Sequence, residues 1–352
     1  MFITGLGTAN PPYRYTQTDC LRALEGNRQF LQLRPASQQL LAKILQSAHG
    51  IATRNFALAD LSQAFDLVPD ILHRRFLENA PKLAAQAAVK ALDEAGLIPA
   101  DIDAVVISTC TGYLCPGLTS YVIERMGMRL DVLALDLVGQ GCGAAIPNMR
   151  SAEALLTAGR ARHVLSICVE VCSAALYLDD DPGVLVSACL FGDGAGAAVL
   201  SAELGAGPHT IEWIDCTTIT NPQDRDLLRF EHRDGMLRNI LSPRVPELAA
   251  HYAKKVLNEL LPRCGLVQND IAGWVWHGGG KNVLDALQQQ LTLSDSDVHI
   301  SRMILNDYGN LSSAFVYFVL QAALSEQSRP GWWWMSSFGA GFSCHGALLK
   351  IS

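Results

Sequence analysis

Cys142 lies in Leu137-Val138-Gly139-Gln140-Gly141-Cys142-Gly143-Ala144, between an apolar run that reads as a strand and a small-residue run that reads as a helix. A thiol at such a junction meets unpaired backbone N–H groups and the positive end of a helix dipole. Both favour the thiolate, the form that attacks carbonyl carbon. Gly139, Gly141 and Gly143 allow a sharp turn and close approach of a ligand. His277 ends the run Trp274-Val275-Trp276 and is followed by Gly278, Gly279 and Gly280, so a thioester could reach the imidazole. Asn310, in Tyr308-Gly309-Asn310-Leu311-Ser312-Ser313-Ala314, stands where a loop enters a helix. Together the three supply a nucleophile, a base and an amide donor. Each also has a plain structural alternative: Cys142 as one of ten cysteines in a core, His277 as a strand-end histidine, Asn310 as a helix N-cap.

The elements that must position them alternate along the chain. Val132–Val138 has the length and β-branched content of a buried strand, and 144–158 carries helix-forming residues throughout. Lys82 to Ala95 reads as a helix stopped by Gly96, Ala104–Ser108 as a buried strand and His163–Val169 as another. A second half repeats the order, with a helix over 245–261, a strand over 273–276 and helices over 282–290 and 312–324. A Gly/Pro-containing stretch at 203–208 divides them, giving halves of 1–205 and 206–352. The expected fold is α/β, with two similar halves on one core. The glycines at 192, 194 and 196 have neither P-loop nor dinucleotide spacing and are expected to form a tight turn.

Composition sets the outer limits. At 352 residues, 49% of them hydrophobic, the chain can bury a large core. A net charge of −7 and the absence of a Lys/Arg run argue against nucleic acid or an anionic membrane as partner. No signal peptide and no membrane-length apolar run are visible, so a cytoplasmic protein without stable membrane insertion is expected. The ten cysteines are expected to be reduced. The pairs Cys110/Cys115 and Cys168/Cys172 lack zinc-site spacing, so no metal is expected.

The Cys142 turn, Leu190-Phe191-Gly192-Asp193-Gly194, the His277 glycine run and Tyr308 to Ala314, in this order, resemble the type III polyketide synthases, the chalcone synthase-like enzymes of the thiolase fold. Ser337-Phe338-Gly339-Ala340-Gly341-Phe342 resembles the family's closing glycine loop, which borders the active site. The resemblance spans nearly the whole chain. It implies two βαβα halves in a layered αβαβα core, a homodimer, and acyl-CoA and malonyl-CoA as substrates with no further cofactor. It also implies that Cys142 carries the acyl starter while His277 and Asn310 stabilise the enolate formed when malonyl-CoA loses carbon dioxide. Phe191 matches the gatekeeper between the CoA tunnel and the cavity; its structural alternative is a core aromatic beside a turn. Thr111 and Cys115 fall where the family lines its cavity and dimer contact, Ala175 and Ser312 on cavity-lining positions, and Phe338, Gly279 and Gly280 on segments bordering the substrate.

The chain also departs from the family pattern. Gly278 and Ala340 replace two customary prolines, and the basic trio that contacts CoA phosphates in plant members has no match around 41–48. Lys43, Arg54 and Lys281 are the nearest substitutes, which leaves room for a starter delivered by an acyl carrier protein. With a small Ala175 and an Arg229–Asn239 segment unlike the plant pattern, the expectation is a bacterial-type enzyme. It would take a medium- or long-chain fatty acyl starter and release an alkylresorcinol or alkylpyrone. Two alternatives stand beside it: a single-condensation 3-oxoacyl-acyl-carrier-protein synthase III, and a non-catalytic protein on the same core.

Overall fold

The computed structural model describes residues 1–47, 50–205, 209–327 and 329–352. Its strands are β1 (Phe2–Ala9), β2 (Tyr13–Thr16), β3 (Thr53–Phe56), β4 (Ala104–Ser108), β5 (Leu133–Leu137), β6 (His163–Glu170), β7 (Gly194–Ser201), β8 (Ile211–Thr220), β9 (Leu228–Arg233), β10 (Met236–Leu241), β11 (Ile271–Trp276), β12 (Gly331–Gly339) and β13 (Ser343–Ile351). The helices are α1 (Gln17–Glu25), α2 (Arg28–Gln32), α3 (Pro35–Gln46), α4 (Pro69–Ala95), α5 (Leu118–Met126), α6 (Ala145–Thr157), α7 (Pro182–Leu190), α8 (Val245–Arg263), α9 (Lys281–Leu291), α10 (Asp295–Tyr308) and α11 (Phe315–Gln327).

The main sheet runs β11-β12-β13-β8-β1-β7-β6-β4-β5. It is two half-sheets meeting at β1 and β8, which pair only through Phe2 with Glu212 and Ile3 with Ile211. Helix α4 covers the first half-sheet on one side, packing on β1, β6 and β7, and α8 covers the second, on β8 and β13. Between them lie α6 and α11, each touching strands of both half-sheets. The result is the expected αβαβα layering of a thiolase-like fold. The central helices must be apolar all round, and α11 is: Phe315, Val316, Tyr317, Phe318, Val319 and Leu320 are all buried. The boundary drawn after residue 205 runs into 206–208, outside the described residues.

Three expectations are corrected. Helix α4 begins at Pro69, well before Lys82, and runs through Pro81; packing of its buried face outweighs the one backbone bond a proline forfeits. Strand β5 is not buried: Leu133, Leu135 and Val138 are exposed, because β5 is the sheet edge and pairs only with β4. The glycines of 192–196 do not make a tight turn, since Gly194 opens β7. Their small size serves close packing instead: a Cβ on Gly192 would lie 2.4 Å from the Tyr308 carbonyl oxygen, and one on Gly196 2.4 Å from the Tyr317 Cβ.

Candidate active site

Cys142 occupies a 3-10 turn, Gly141–Gly143, that leads from the end of β5 into α6. Gly141 has φ +58°, and a Cβ there would fall 2.8 Å from the Ala340 backbone nitrogen. A Cβ on Gly143 would lie 2.9 Å from the Gly339 nitrogen. Both glycines are therefore required by the loop between β12 and β13, which packs directly on the thiol's turn. Ser337 ties the two together, its Oγ donating to the Gly143 carbonyl at 2.9 Å.

His277 follows β11 and is buried, its backbone N–H bonded to the Ser336 carbonyl at 3.0 Å. Phe315 meets its ring edge-on at 5.4 Å and Phe338 lies at 6.4 Å, so the imidazole is clamped between aromatics. A Cβ on Gly278 would lie 2.8 Å from Phe315 Cζ, so a side chain there would require the Phe315 ring, and with it the edge of the His277 clamp, to shift. Asn310 is fixed at both ends of its amide: Oδ1 accepts from the Ser312 N–H at 2.8 Å and Nδ2 donates to the Gly279 carbonyl at 3.1 Å. An amide nitrogen carries two hydrogens, so one N–H of Asn310 remains for a ligand. Its capping role and an amide-donor role are thus compatible.

Around Cys142 the geometry supplies more than the expected trio. Ser312 Oγ donates to Cys142 Sγ at 3.1 Å and lies 3.3 Å from Cys110 Sγ. Ser312 itself has φ +51°, a left-handed conformation that a serine rarely adopts. Behind it Glu170, wholly buried at the end of β6, accepts hydrogen bonds from Ser313, from Thr111 Oγ1 at 2.9 Å and from the Cys110 N–H at 3.0 Å, and lies 3.2 Å from Ser312 Oγ, where it competes with Cys142 for the one hydroxyl proton. A hydrogen bond from Cys110, and next a hydrogen bond and charge from His277, hold the Cys142 thiol well below the usual thiol range. The same bond, then burial and the Glu170 charge, push Cys110 well above it. Burial raises Glu170. The site is thus graded toward a thiolate at Cys142, a form able to attack a thioester carbonyl beside donors suited to a developing oxyanion.

Two cavities meet at this thiol. The outer one, about 400 Å³, is lined by Cys142, His277, Asn310, Gly279, Gly280 and Phe338 among others. The inner one, about 50 Å³, holds Cys110, Thr111, Ala175 and Ser312 and is partly walled by the β9–β10 hairpin through Leu228, Arg229, Phe230 and Asn239. Cys142, Phe191 and Leu228 line both, so Phe191 stands between them. The backbone holds Phe191 beside Asn310: Asn310 N donates to Leu190 O at 2.9 Å and Gly192 N to Asn310 O at 3.0 Å.

The structure therefore gathers His277, Asn310, Phe338, Gly279 and Gly280 around the outer cavity, Thr111, Ala175 and Ser312 around the inner one, and Cys142 and Phe191 between them. Cys115 is the exception, exposed and lining neither cavity. Of the substitute cations, Arg54 is spent inside the protein, 3% exposed with Nη1 donating to Ala188 O and Phe191 O. Lys43 is exposed on α3, one residue before the cavity-lining Ile44, and Lys281 lines the outer cavity while paired to Asp285 at 2.6 Å. Sequence reasoning missed Cys110 and Glu170. The available signal was a glutamate closing the mostly apolar run 164–169, two residues before Cys172. Among the described residues all ten cysteines are free, no three acidic, His or Cys side chains converge as a metal site, and no helix is long and apolar enough to cross a membrane.

Known proteins agree with this arrangement. Residues 11–210 match the family model of FAE1/type III polyketide synthase-like proteins, and 221–351 that of the chalcone and stilbene synthase C-terminal domain. The 1,3,6,8-tetrahydroxynaphthalene synthase of Streptomyces peucetius subsp. caesius is 31% identical, covering 99% of this chain and 92% of its own. The 3,5-dihydroxyphenylacetyl-CoA synthase of Streptomyces toyocaensis is 29% identical over 99% of this chain and 89% of its own. The crystal structure of PKS-I from the brown alga Ectocarpus siliculosus superposes with a TM-score of 0.89 at 28% identity, covering 99% of this chain and 97% of that one. Matched along both halves and carrying a polarised thiol at the junction of two cavities, the chain belongs to the type III polyketide synthases, acyltransferases that condense malonyl-CoA iteratively.

Proposed function

We propose that the chain extends a medium- or long-chain fatty acyl starter with malonyl units and releases an alkylresorcinol or alkylpyrone. In this mechanism the Cys142 thiolate attacks the starter thioester and expels CoA as its thiolate, with His277 as the charge partner that keeps Cys142 ionised. Malonyl-CoA in the outer cavity then loses carbon dioxide, and His277 and the free Asn310 N–H donate to the enolate oxygen. The enolate carbon attacks the Cys142 acyl carbonyl and displaces the thiolate, and the lengthened chain returns to Cys142 for the next round. Phe191 and the β9–β10 hairpin separate the CoA side from the growing chain.

The observation that carries the starter class is the apolar space beyond the thiol. Phe56, Leu176, Val184, Ala188 and Phe230 line the inner cavity, and Ala175 adds no bulk. A third cavity of about 60 Å³, lined by Leu24, Leu41, Leu45, Leu61 and Phe65, adjoins it and shares Phe56, Leu176 and Ala188. A hydrocarbon tail gains by leaving water in such a channel, whereas Arg229, the one cation of the inner lining, is paired with Asp226 and Glu231. A second reading, a small aromatic polyketide without a fatty tail, is favoured by the products for which the two Streptomyces relatives are named and by an inner cavity of only about 50 Å³. With few free cations at the outer mouth, carrier-protein delivery of the starter stays within the proposal. The enzyme is further read as a homodimer, supported by the uncovered apolar edge at β5, and as cytoplasmic.

The test is mass spectrometry of products from purified protein with malonyl-CoA alone, with graded fatty acyl-CoAs and with an aromatic acyl-CoA. Multiply extended alkylresorcinols or alkylpyrones support the proposal. Products from malonyl-CoA alone or from only aromatic starters overturn it, and a single β-ketoacyl product would point to one-step condensation.

A further inference from the structure

Two thiols flank one hydroxyl in this site. Ser312 Oγ is 3.1 Å from Cys142 Sγ and 3.3 Å from Cys110 Sγ, and all three groups line the inner cavity. Cys110 and Cys142 are both only partly buried, whereas Cys172, the other cysteine of that lining, is buried. Neither is a lone reactive cysteine. Two sulfurs held against the same hydroxyl oxygen, in the lining of the same small cavity, face each other across no more than that oxygen. The Glu170 carboxylate lies 3.4 Å from Cys110 Sγ, placed to receive its proton.

We infer that Cys110 is a resolving thiol for Cys142, so that peroxide oxidation closes a reversible Cys110–Cys142 disulfide across the active site. The Cys142 thiolate attacks one oxygen of hydrogen peroxide, the O–O bond breaks, and hydroxide leaves with Cys142 as a sulfenic acid. Glu170 takes the Cys110 proton, the Cys110 sulfur attacks the Cys142 sulfur, the S–O bond breaks and the leaving hydroxide takes that proton as water, while the hydroxide from the first step is neutralised by the proton His277 holds as the charge partner of Cys142. Two thiols are oxidised by two electrons and one peroxide is reduced to two waters. The disulfide removes the nucleophile from turnover but also keeps it from irreversible sulfinic and sulfonic oxidation. An external dithiol reverses it by exchange.

The experiment treats the purified, full-length enzyme with hydrogen peroxide at increasing ratio. Expected are a mass loss of about 2 Da, a peptide pair linking Cys110 to Cys142, and near-complete return of condensation activity with dithiothreitol. Cys110→Ser should instead gain about 32 or 48 Da on Cys142 and stay inactive after reductant. Sulfinic Cys142 without a cross-link in the unaltered enzyme, or a cross-link from Cys142 to Cys172, overturns the inference. Because Cys110→Ser also changes the contacts with Ser312 and Glu170, phenylarsine oxide provides a second readout on the unaltered enzyme. One arsenic bridging Cys110 and Cys142, blocking iodoacetamide at both, is expected, and free alkylation of Cys110 in the arsenical-treated protein speaks against a dithiol.

Discussion

At Cys142, the direction of the pKa shift sets a measurable consequence. A thiol held well below the ordinary range stays ionised as pH falls, whereas ordinary thiols lose alkylation rate roughly tenfold per pH unit below their pKa. Inactivation by iodoacetamide should therefore remain nearly constant well below pH 9, with Cys142 the first residue modified in peptide maps. A rate that falls from pH 9 downward would mean that Cys110 and His277 do not hold the charge. Loading and condensation should also separate by mutation. Asn310→Ala deletes the N–H offered to the enolate but leaves the thiol intact, so malonyl-CoA decarboxylation and condensation should drop about 100- to 1000-fold while acylation of Cys142, read by intact mass, persists. Equal loss of both steps would reduce Asn310 to its bonds with Ser312 and Gly279. Cys142→Ala should abolish both steps with the melting temperature nearly unchanged, because the side chain faces a cavity.

The elements that hold the thiol were unevenly legible. Strands β4, β6 and β11 and helices α6 and α8 follow from apolar runs and helix formers because their burial is local and continuous. Cys110 was not found, because its meaning depends on Glu170 and Ser312, distant in sequence and joined only by the fold. Cys115 was placed in the site by family pattern, yet in a single chain it faces outward. The Cys142 turn itself is testable through Gly141→Ala. A Cβ would be strained at φ +58° and would press on the Ala340 backbone, so about 1–3 kcal/mol of stability should be lost together with most condensation activity. A fully active, equally stable variant would show that the loop between β12 and β13 yields freely. Beneath the same turn, His345 on β13 is bonded to Thr218 and Ser343 and packs where a Gly143 side chain would go. Burial pushes it down to about 4 from 6.5. The unfolded chain takes up that proton first, so stability present above pH 6.5 is lost as pH falls toward 4, by on the order of 3 kcal/mol. Asp193, pushed up to about 6 by burial, acts with the opposite sign between 3.8 and 6. The comparison of melting curves must therefore be against His345→Gln, which should lose less stability than the parent over pH 6.5 to 4; parallel curves would refute the assignment.

For the molecule as a whole, the open question is what covers β5. An edge strand presenting unpaired backbone groups and apolar side chains is an aggregation hazard unless something pairs with it. Here Leu133, Leu135 and Val138 are exposed on that edge, and Tyr113 stands 69% exposed on the segment that also carries Cys115. No charged residue other than Asp136 interrupts Leu133–Leu137, and its carboxylate is occupied by Thr119. A second copy is the partner whose edge is complementary by construction, since a two-fold axis through β5 would pair like strands antiparallel and join the two sheets. The mass in solution by light scattering should then be about twice the chain's 38.0 kDa. Leu135→Asp, which places like charges across such an axis, should shift the protein toward monomer at micromolar concentration. Because β5 runs directly into the turn bearing Cys142, loosening that edge should lower condensation activity in step with the monomer fraction, and activity should recover as concentration drives reassociation. A dimer unaffected by Leu135→Asp would move the seam elsewhere, and a monomeric parent protein would leave the β5 edge to a different partner altogether.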